Sequence, residues 1–150
     1  MKNLLFFFLI PFIGICQNSI SDVHFSSFGL KTSSDFYFSN TTGPKTTDFY
    51  FSPRQTSNTV NVYISTSNSG CDVKVNSFSL KSFKDIYFSS ISMDFTNDIF
   101  ISTSSSYKTK DIYITDDVRS SDVVICFPQN FDVDLRHISS ILYLKLYSKK

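Results

Sequence analysis

The chain contains no alanine, no glutamate and no tryptophan, and its thirteen acidic residues are all aspartate. Alanine and glutamate are among the strongest helix formers, while the abundant Ser, Thr, Asn and Asp compete with helical hydrogen bonds. Their balance disfavours helix almost everywhere. Only four glycines are present, which excludes the glycine-rich turns of calcium-binding β-rolls. Charge of one sign is also lacking, since the net charge is +1. That removes the basic patch or stripe that nucleic-acid binders carry. A long hydrophobic run is missing too. The run from Leu4 to Ile15 is broken by Pro11 and is too short for a comfortable membrane span.

What the first residues do contain is the pattern of an export signal. Lys2 gives a positive start, the apolar run follows, and Gly14 and Cys16 are the small residues before a cleavage at Gln17. Residues 1–16 are therefore expected to be a signal peptide, and residues 17–150 a single β-repeat domain, secreted or held in the periplasm or at the cell surface. A lipoprotein anchor at Cys16 is the alternative; the bulky Ile15 directly before the cysteine fits it poorly. Without residues 1–16, thirteen basic residues face thirteen acidic ones, because only Lys2 is removed. Two cysteines remain, Cys71 and Cys126. In an oxidising compartment they can form a disulfide, or they can stay as two buried thiols.

What is present above all is a repeat. Its motif is Asp, apolar, aromatic, apolar, Ser/Thr, as in Asp35-Phe36-Tyr37-Phe38-Ser39 and Asp85-Ile86-Tyr87-Phe88-Ser89. Copies begin at residues 22, 35, 48, 61, 72, 85, 98, 111 and 122. The steps are 13, 13, 13 and 11, then the same again. Residues 22–71 and 72–121 thus form two 50-residue blocks, identical at 16 of 50 positions, followed by a closing segment, 122–150. A 13-residue unit holds one strand and a turn but no real helix. The predicted fold is all-β, a tandem short-strand repeat stacked into a compact solenoid-like body. Within each unit the first and third residues after Asp share one face and predict the core, from Val23 and Phe25 to Val123 and Ile125. Connectors such as Ile91-Ser92-Met93-Asp94-Phe95 alternate and are expected to carry a second short strand. The alternation from Ile141 to Tyr147, with Leu142, Leu144 and Leu146 on one face, predicts a closing strand.

Two columns invite functional readings. The Asp column could hold a cation, but Asn61 replaces one carboxylate and Lys45, Lys84, Lys108 and Lys110 lie close before others. A side-chain acceptor closing the turn at the strand start accounts for these features better. No metal or other cofactor is expected. The second residue after Asp faces away from the core and gives Tyr37, Tyr50, Tyr63, Tyr87, Phe100 and Tyr113. Such a column is either an outer packed layer or a candidate binding face for sugar rings or a protein. Neither His24 nor His137 has a catalytic neighbour in sequence, and no nucleophile or acid–base set emerges.

The motif is similar to that of the septoil-knot domain family, most closely at Asp72-Val73-Lys74-Val75, with the tyrosine-type copies in register. The resemblance spans residues 22–125 and implies a double-wound chain of short strands tied as a seven-crossing torus knot, with no known biochemical activity. This chain departs from the family in placing Tyr where Lys is usual and in two shortened connectors. The expectation is an exported, non-enzymatic structural or adhesive module without a nucleic-acid partner or an integral membrane span. The alternative is a carbohydrate- or protein-binding module using the tyrosine column. Ice binding is disfavoured, because the outward residue is Tyr rather than a regular Thr array.

Overall fold

The computed structural model describes residues 20–148; the expected leader, Cys16 and the final Lys149-Lys150 lie outside them. Each motif is one strand. In chain order these are β1 (Asp22–Ser26), β2 (Ser34–Ser39), β3 (Thr47–Phe51), β4 (Val60–Ser65), β5 (Val73–Asn76), β6 (Lys84–Ser89), β7 (Asn97–Ser102), β8 (Lys110–Thr115) and β9 (Val123–Cys126). β-branched and aromatic residues fill them because such side chains suit a pleated, partly buried surface.

The strands close into a ring in which every pair is parallel, in the order β1-β5-β9-β4-β8-β3-β7-β2-β6 and back to β1. Strands consecutive in the chain are never adjacent. Between β1 and β2 lies β6, between β2 and β3 lies β7, and so on round the ring. β1 to β4 make one circuit, and the later strands fill the gaps of the first. Each connector must therefore cross the strand that separates its two ends.

Register adds a stagger. Tyr37 of β2 lies level with Asp98 of β7, so the motif climbs two residues at that seam. The same climb recurs at each seam except β4–β9, where Val62 meets Val123 and Tyr63 meets Val124 without offset. The two 11-residue steps are β4 to β5 and β8 to β9, the two connectors that cross this flat seam. Each is two residues shorter than its sisters, which matches the missing stagger. The irregularity in the repeat thus has a geometric cause.

Nine strands with this stagger give a tilt of about 50° and a ring radius of roughly 11 Å. Side chains alone do not fill such a ring; a helix with a diameter of about 10–12 Å does. The closing segment supplies one. Residues Leu135–Leu142 form α1, continued by a π-helical turn at Tyr143–Tyr147. This overturns the predicted closing strand. The spacing of Ile138, Ile141 and Leu142 is helical, and Asp134 caps the start by accepting from the Arg136 and His137 amides. The five residues from Ile138 to Leu142 are all buried. At about 100° per residue such a run has no solvent face, so the helix is enclosed.

Ring contacts give its direction. His137 sits 4.6 Å from the Phe25 ring and 5.3 Å from that of Phe88, both late in their strands. Tyr143 meets Phe36 at 5.5 Å and Tyr147 meets Phe49 at 5.8 Å, both two motif positions earlier than Phe25 and Phe88. The helix therefore runs from the mouth at the strand C-termini to the mouth at their N-termini, where Lys145 Nζ donates to the Ile20 carbonyl at 3.5 Å. Ser139 and Ser140 are fully buried and donate back to the Leu135 and Arg136 carbonyls, so their hydroxyls need no partner from the wall.

The first residue after Asp is buried in all nine units: Val23, Phe36, Phe49, Val62, Val73, Ile86, Ile99, Ile112 and Val123. The third residue is less uniform. Val75 and Ile125 are buried, and Phe25, Phe38, Phe51, Ile64, Phe88 and Ile101 are partly covered. Ile114 is 40% exposed, so the expectation of two inward residues per unit fails there. The strongly tilted strands carry this position towards the ring mouth, where cover depends on what lies above. Residues 91–95 form no second strand. That connector is held by turn hydrogen bonds and has no free sheet edge to join, because the ring is closed.

Candidate functional site

Five of the motif aspartates, Asp35, Asp48, Asp85, Asp98 and Asp111, are turn clamps, whereas Asp72 and Asp122 accept the Val124 and Asn61 amides of a neighbouring strand. In a full copy, one carboxylate oxygen accepts from the hydroxyl two residues earlier and the other from the hydroxyl six residues earlier. Asp98 takes Thr96 Oγ1 at 2.7 Å and Ser92 Oγ at 2.6 Å. Asp48 takes Thr46 and Thr42, and Asp111 takes Thr109 and Ser105. The two hydroxyls fold the whole connector onto one carboxylate, and hydrogen bonds to an ionised acceptor are the stronger kind. Meanwhile the hydroxyl that ends the strand closes the next turn: Ser89 Oγ donates to the Ile91 carbonyl and accepts from the Ile91 amide. This accounts for the Ser/Thr-rich composition as connector chemistry.

Departures from the clamp are compensated locally. Phe83 occupies the place of the nearer hydroxyl of Asp85, and His24 Nδ1 from the adjoining strand bonds Asp85 Oδ1 at 3.0 Å instead. At Asn61 the clamp keeps Thr59. The lysines near the column do not neutralise it as the sequence suggested. Lys45 pairs at 3.2 Å with the exposed Asp94, Lys108 lies over Tyr107, and Lys110 lies over Tyr147. In the full copies each carboxylate oxygen already accepts a hydroxyl. Among the described residues, no group of three or more His, Cys, Asp or Glu is placed to hold a metal ion.

Interleaving changes how the aromatic column must be seen. Tyr87, Tyr37, Phe100, Tyr50, Tyr113 and Tyr63 stand on β6, β2, β7, β3, β8 and β4, six successive places in the ring. Val124, Lys74 and His24 complete the circle. The two-residue climb prevents the rings from standing side by side: Tyr37 is flanked by Ser89 and Asp98. Successive aromatics form a stair with diagonal spacing of about 7–8 Å. All six are half-buried, because a connector crosses each strand on the outside. Gly29, in the β1–β2 connector, passes so close that a Cβ there would lie 3.2 Å from Tyr87 Cδ1. Gly29 holds the position where other copies carry the farther clamp hydroxyl, and the Tyr87 ring explains the substitution.

Cys71 and Cys126 form a disulfide with Cα atoms 5.7 Å apart. It fastens the shortened β4–β5 connector to β9, the strand it crosses, at the flat seam.

A second polar cluster, which sequence reasoning missed, lies at the mouth where the helix starts. The Asp134 amide donates to His137 Nδ1 at 3.2 Å, and the Asp134 carboxylate accepts from the His137 amide at 3.1 Å and from Arg136. Phe25, Phe88 and Phe131 surround the imidazole. Burial lowers the His137 pKa below its usual value, against the opposing pull of Asp134. Burial tends to raise the pKa of Asp134, yet the Arg136 and His137 hydrogen bonds outweigh it and leave the pKa lowered. The signal was available in Asp134 standing three residues before His137, a capping-box spacing.

Surface clefts among the described residues are lined by connectors and the strand starts beside them, as between Leu30, Lys31, Phe95 and Asn97. No described helix is long and apolar enough to cross a membrane. No family model, no curated protein and no solved structure matches this chain.

Proposed function

We propose that the protein is an exported, non-enzymatic structural or adhesive module, secreted or displayed at a cell surface. One observation carries this reading: its reactive side chains are engaged in holding the fold. The carboxylates clamp connectors, the hydroxyls close turns, and the ring interior is filled by the chain's own helix. Among the described residues, no buried side-chain nitrogen or oxygen lacks a hydrogen-bond partner. A clamp carboxylate that already accepts two hydroxyls is poorly placed to move a proton for a substrate. The test is a panel of glycosidase, esterase and peptidase assays on purified protein. The proposal expects no turnover above background, and an activity abolished by Asp98→Asn or Ser92→Ala would overturn it.

The second reading is a carbohydrate- or protein-binding module, favoured by the placement of six aromatics on six successive strands. Glycan-array screening of the native protein against the Tyr50→Ala, Tyr87→Ala double variant tests it. The reading expects a native signal that the variant lacks.

The septoil-knot path is a proposal on the same footing, supported by the interleaved order of the two circuits. A knotted chain, reduced and pulled from its two ends, stops short of its contour length of about 3.3–3.6 Å per residue. An unknotted one reaches it.

A further inference from the structure

Three adjacent connectors carry exposed apolar side chains at equivalent repeat positions. The β5–β6 connector crosses β1, the β1–β2 connector crosses β6, and the β6–β7 connector crosses β2; β1, β6 and β2 are successive in the ring. Seven residues before the clamp Asp stand Phe78, Phe28 and Ile91, exposed by 60%, 62% and 59%. Phe95, on the third connector, is 67% exposed. The fold does not ask for apolar residues here. The equivalent positions on the β2–β3, β3–β4 and β7–β8 connectors are Thr41, Arg54 and Ser104. Their turns close with the same hydrogen bond: Thr46 to Gly43, Thr59 to Thr56 and Thr109 to Ser106, against Ser33 to Leu30, Phe83 to Leu80 and Thr96 to Met93. One side of the ring is apolar by choice of residue rather than by need of the backbone.

At about 150–250 Å² for a fully exposed aromatic side chain, the exposed parts of these four side chains sum to roughly 500 Å². That is towards the upper end for the largest apolar patch of a monomer. With its polar rim it approaches the ~800 Å² per partner of a standard interface.

We propose that this face is a self-association surface, on which a second copy of the chain docks about a two-fold axis running along the middle connector. Charge complementarity selects the occupant. Four residues before the clamp, the two flanking connectors carry opposite charges, Lys81 on one and Asp94 on the other; Asp94 is almost fully exposed, and its surface pair with Lys45 at 3.2 Å is of the weak, solvent-screened kind that a second cation can join. The two-fold axis sets the first flanking connector of one copy against the second of its partner. Lys81 then meets Asp94, and Phe78 meets Ile91. An isologous interface requires this kind of self-complementarity. The middle connector meets its own copy, and the long stem of Lys31 lets its charge reach the rim. A membrane is disfavoured as occupant, because inserting Ile91 and Phe95 would drag the Asp94 carboxylate with them.

Sedimentation of the purified, oxidised full-length protein over a range of concentrations tests the proposal. A concentration-dependent dimer is expected, with the Phe28→Ser, Phe78→Ser double variant monomeric. Tyr107→Ser, at an exposed residue of a connector away from the patch, leaves the dimer unchanged. Lys81→Asp weakens association about tenfold or more, and adding Asp94→Lys restores it. A native protein that stays monomeric at hundreds of micromolar would overturn the proposal. So would a dimer indifferent to the phenylalanine changes. Monomer that co-sediments with phosphatidylglycerol vesicles through Phe28 and Phe78 would replace it with a membrane-docking face.

Discussion

Asp98 shows how much of this fold hangs on single residues, because it holds Thr96 and Ser92 together and with them the β6–β7 connector. Asp98→Ala takes the carboxylate from Ser92 and leaves Thr96 only the Met93 carbonyl, and it is expected to cost about 1–3 kcal/mol in urea denaturation. Asp98→Asn retains one acceptor, as Asn61 does for Thr59, and should cost less than the alanine. Equal losses would mean that charge, not acceptor geometry, is what the column supplies. The first and third core positions separate in the same assay. Ile99→Ala empties a fully buried site and should cost about 2–5 kcal/mol, whereas Ile114→Ala, at a 40% exposed residue, should stay well below that. His137 sets the acid side of the stability curve. Its folded pKa is lowered by burial, so between the ordinary value of 6.5 and that lower value the unfolded chain binds more protons. Stability is therefore full above the ordinary value and falls as pH drops through this window. The lowered pKa of Asp134 adds a second loss of the same sign below 3.8. His137→Gln should flatten the first loss and leave the second, as measured by thermal melts across pH.

Among elements, the strands were legible in the sequence and the helix was not. Alternation with period two and the turn residues place all nine strands, because each motif carries its own turn chemistry in the Asp and the flanking hydroxyls. The helix lacks the composition of a helix, and its leucines at 142, 144 and 146 mimic a strand. Counted from the cap at Asp134 rather than from Ile141, the apolar residues Ile138, Ile141 and Leu142 fall on one helical stripe. Tertiary enclosure then overrides weak propensity. Ser139 and Ser140 are the residues that let a helix fit inside the ring. Ser140→Ala should change stability by less than about 1 kcal/mol, since its hydroxyl bonds only its own helix. Ser140→Leu should overpack the wall and cost about 1–3 kcal/mol or more in the same measurement. If both were tolerated alike, the helix would not be enclosed.

At the scale of the whole molecule, the sequence carries the ring's irregularity but not its closure. The two 11-residue steps stand out in the repeat, yet only the pairing register shows that they bridge a seam without stagger. Interleaving was equally hidden: period fixes which residues face inward, not which strands are neighbours. For the same reason a single column of aromatics in the sequence becomes a stair covered by connectors from the other circuit. Sequence did single out Cys71 and Cys126, and the fold brings them together across the flat seam. Their bond closes a 55-residue separation and should contribute about 4 kcal/mol by the chain-entropy account. Reduction should therefore lower the midpoint of thermal unfolding clearly, while Cys71→Ser, Cys126→Ser should be insensitive to reductant.

The ring is closed around the helix from Leu135 to Leu142, whose residues 138–142 are all buried. Native-state hydrogen exchange followed by mass spectrometry tests this enclosure most directly. The account predicts that the amides from Ile138 to Leu144 exchange only by global unfolding, at the same rate as those of β7 and β8. Fast exchange of that segment while the strands stay protected would place the helix outside the ring and contradict the account.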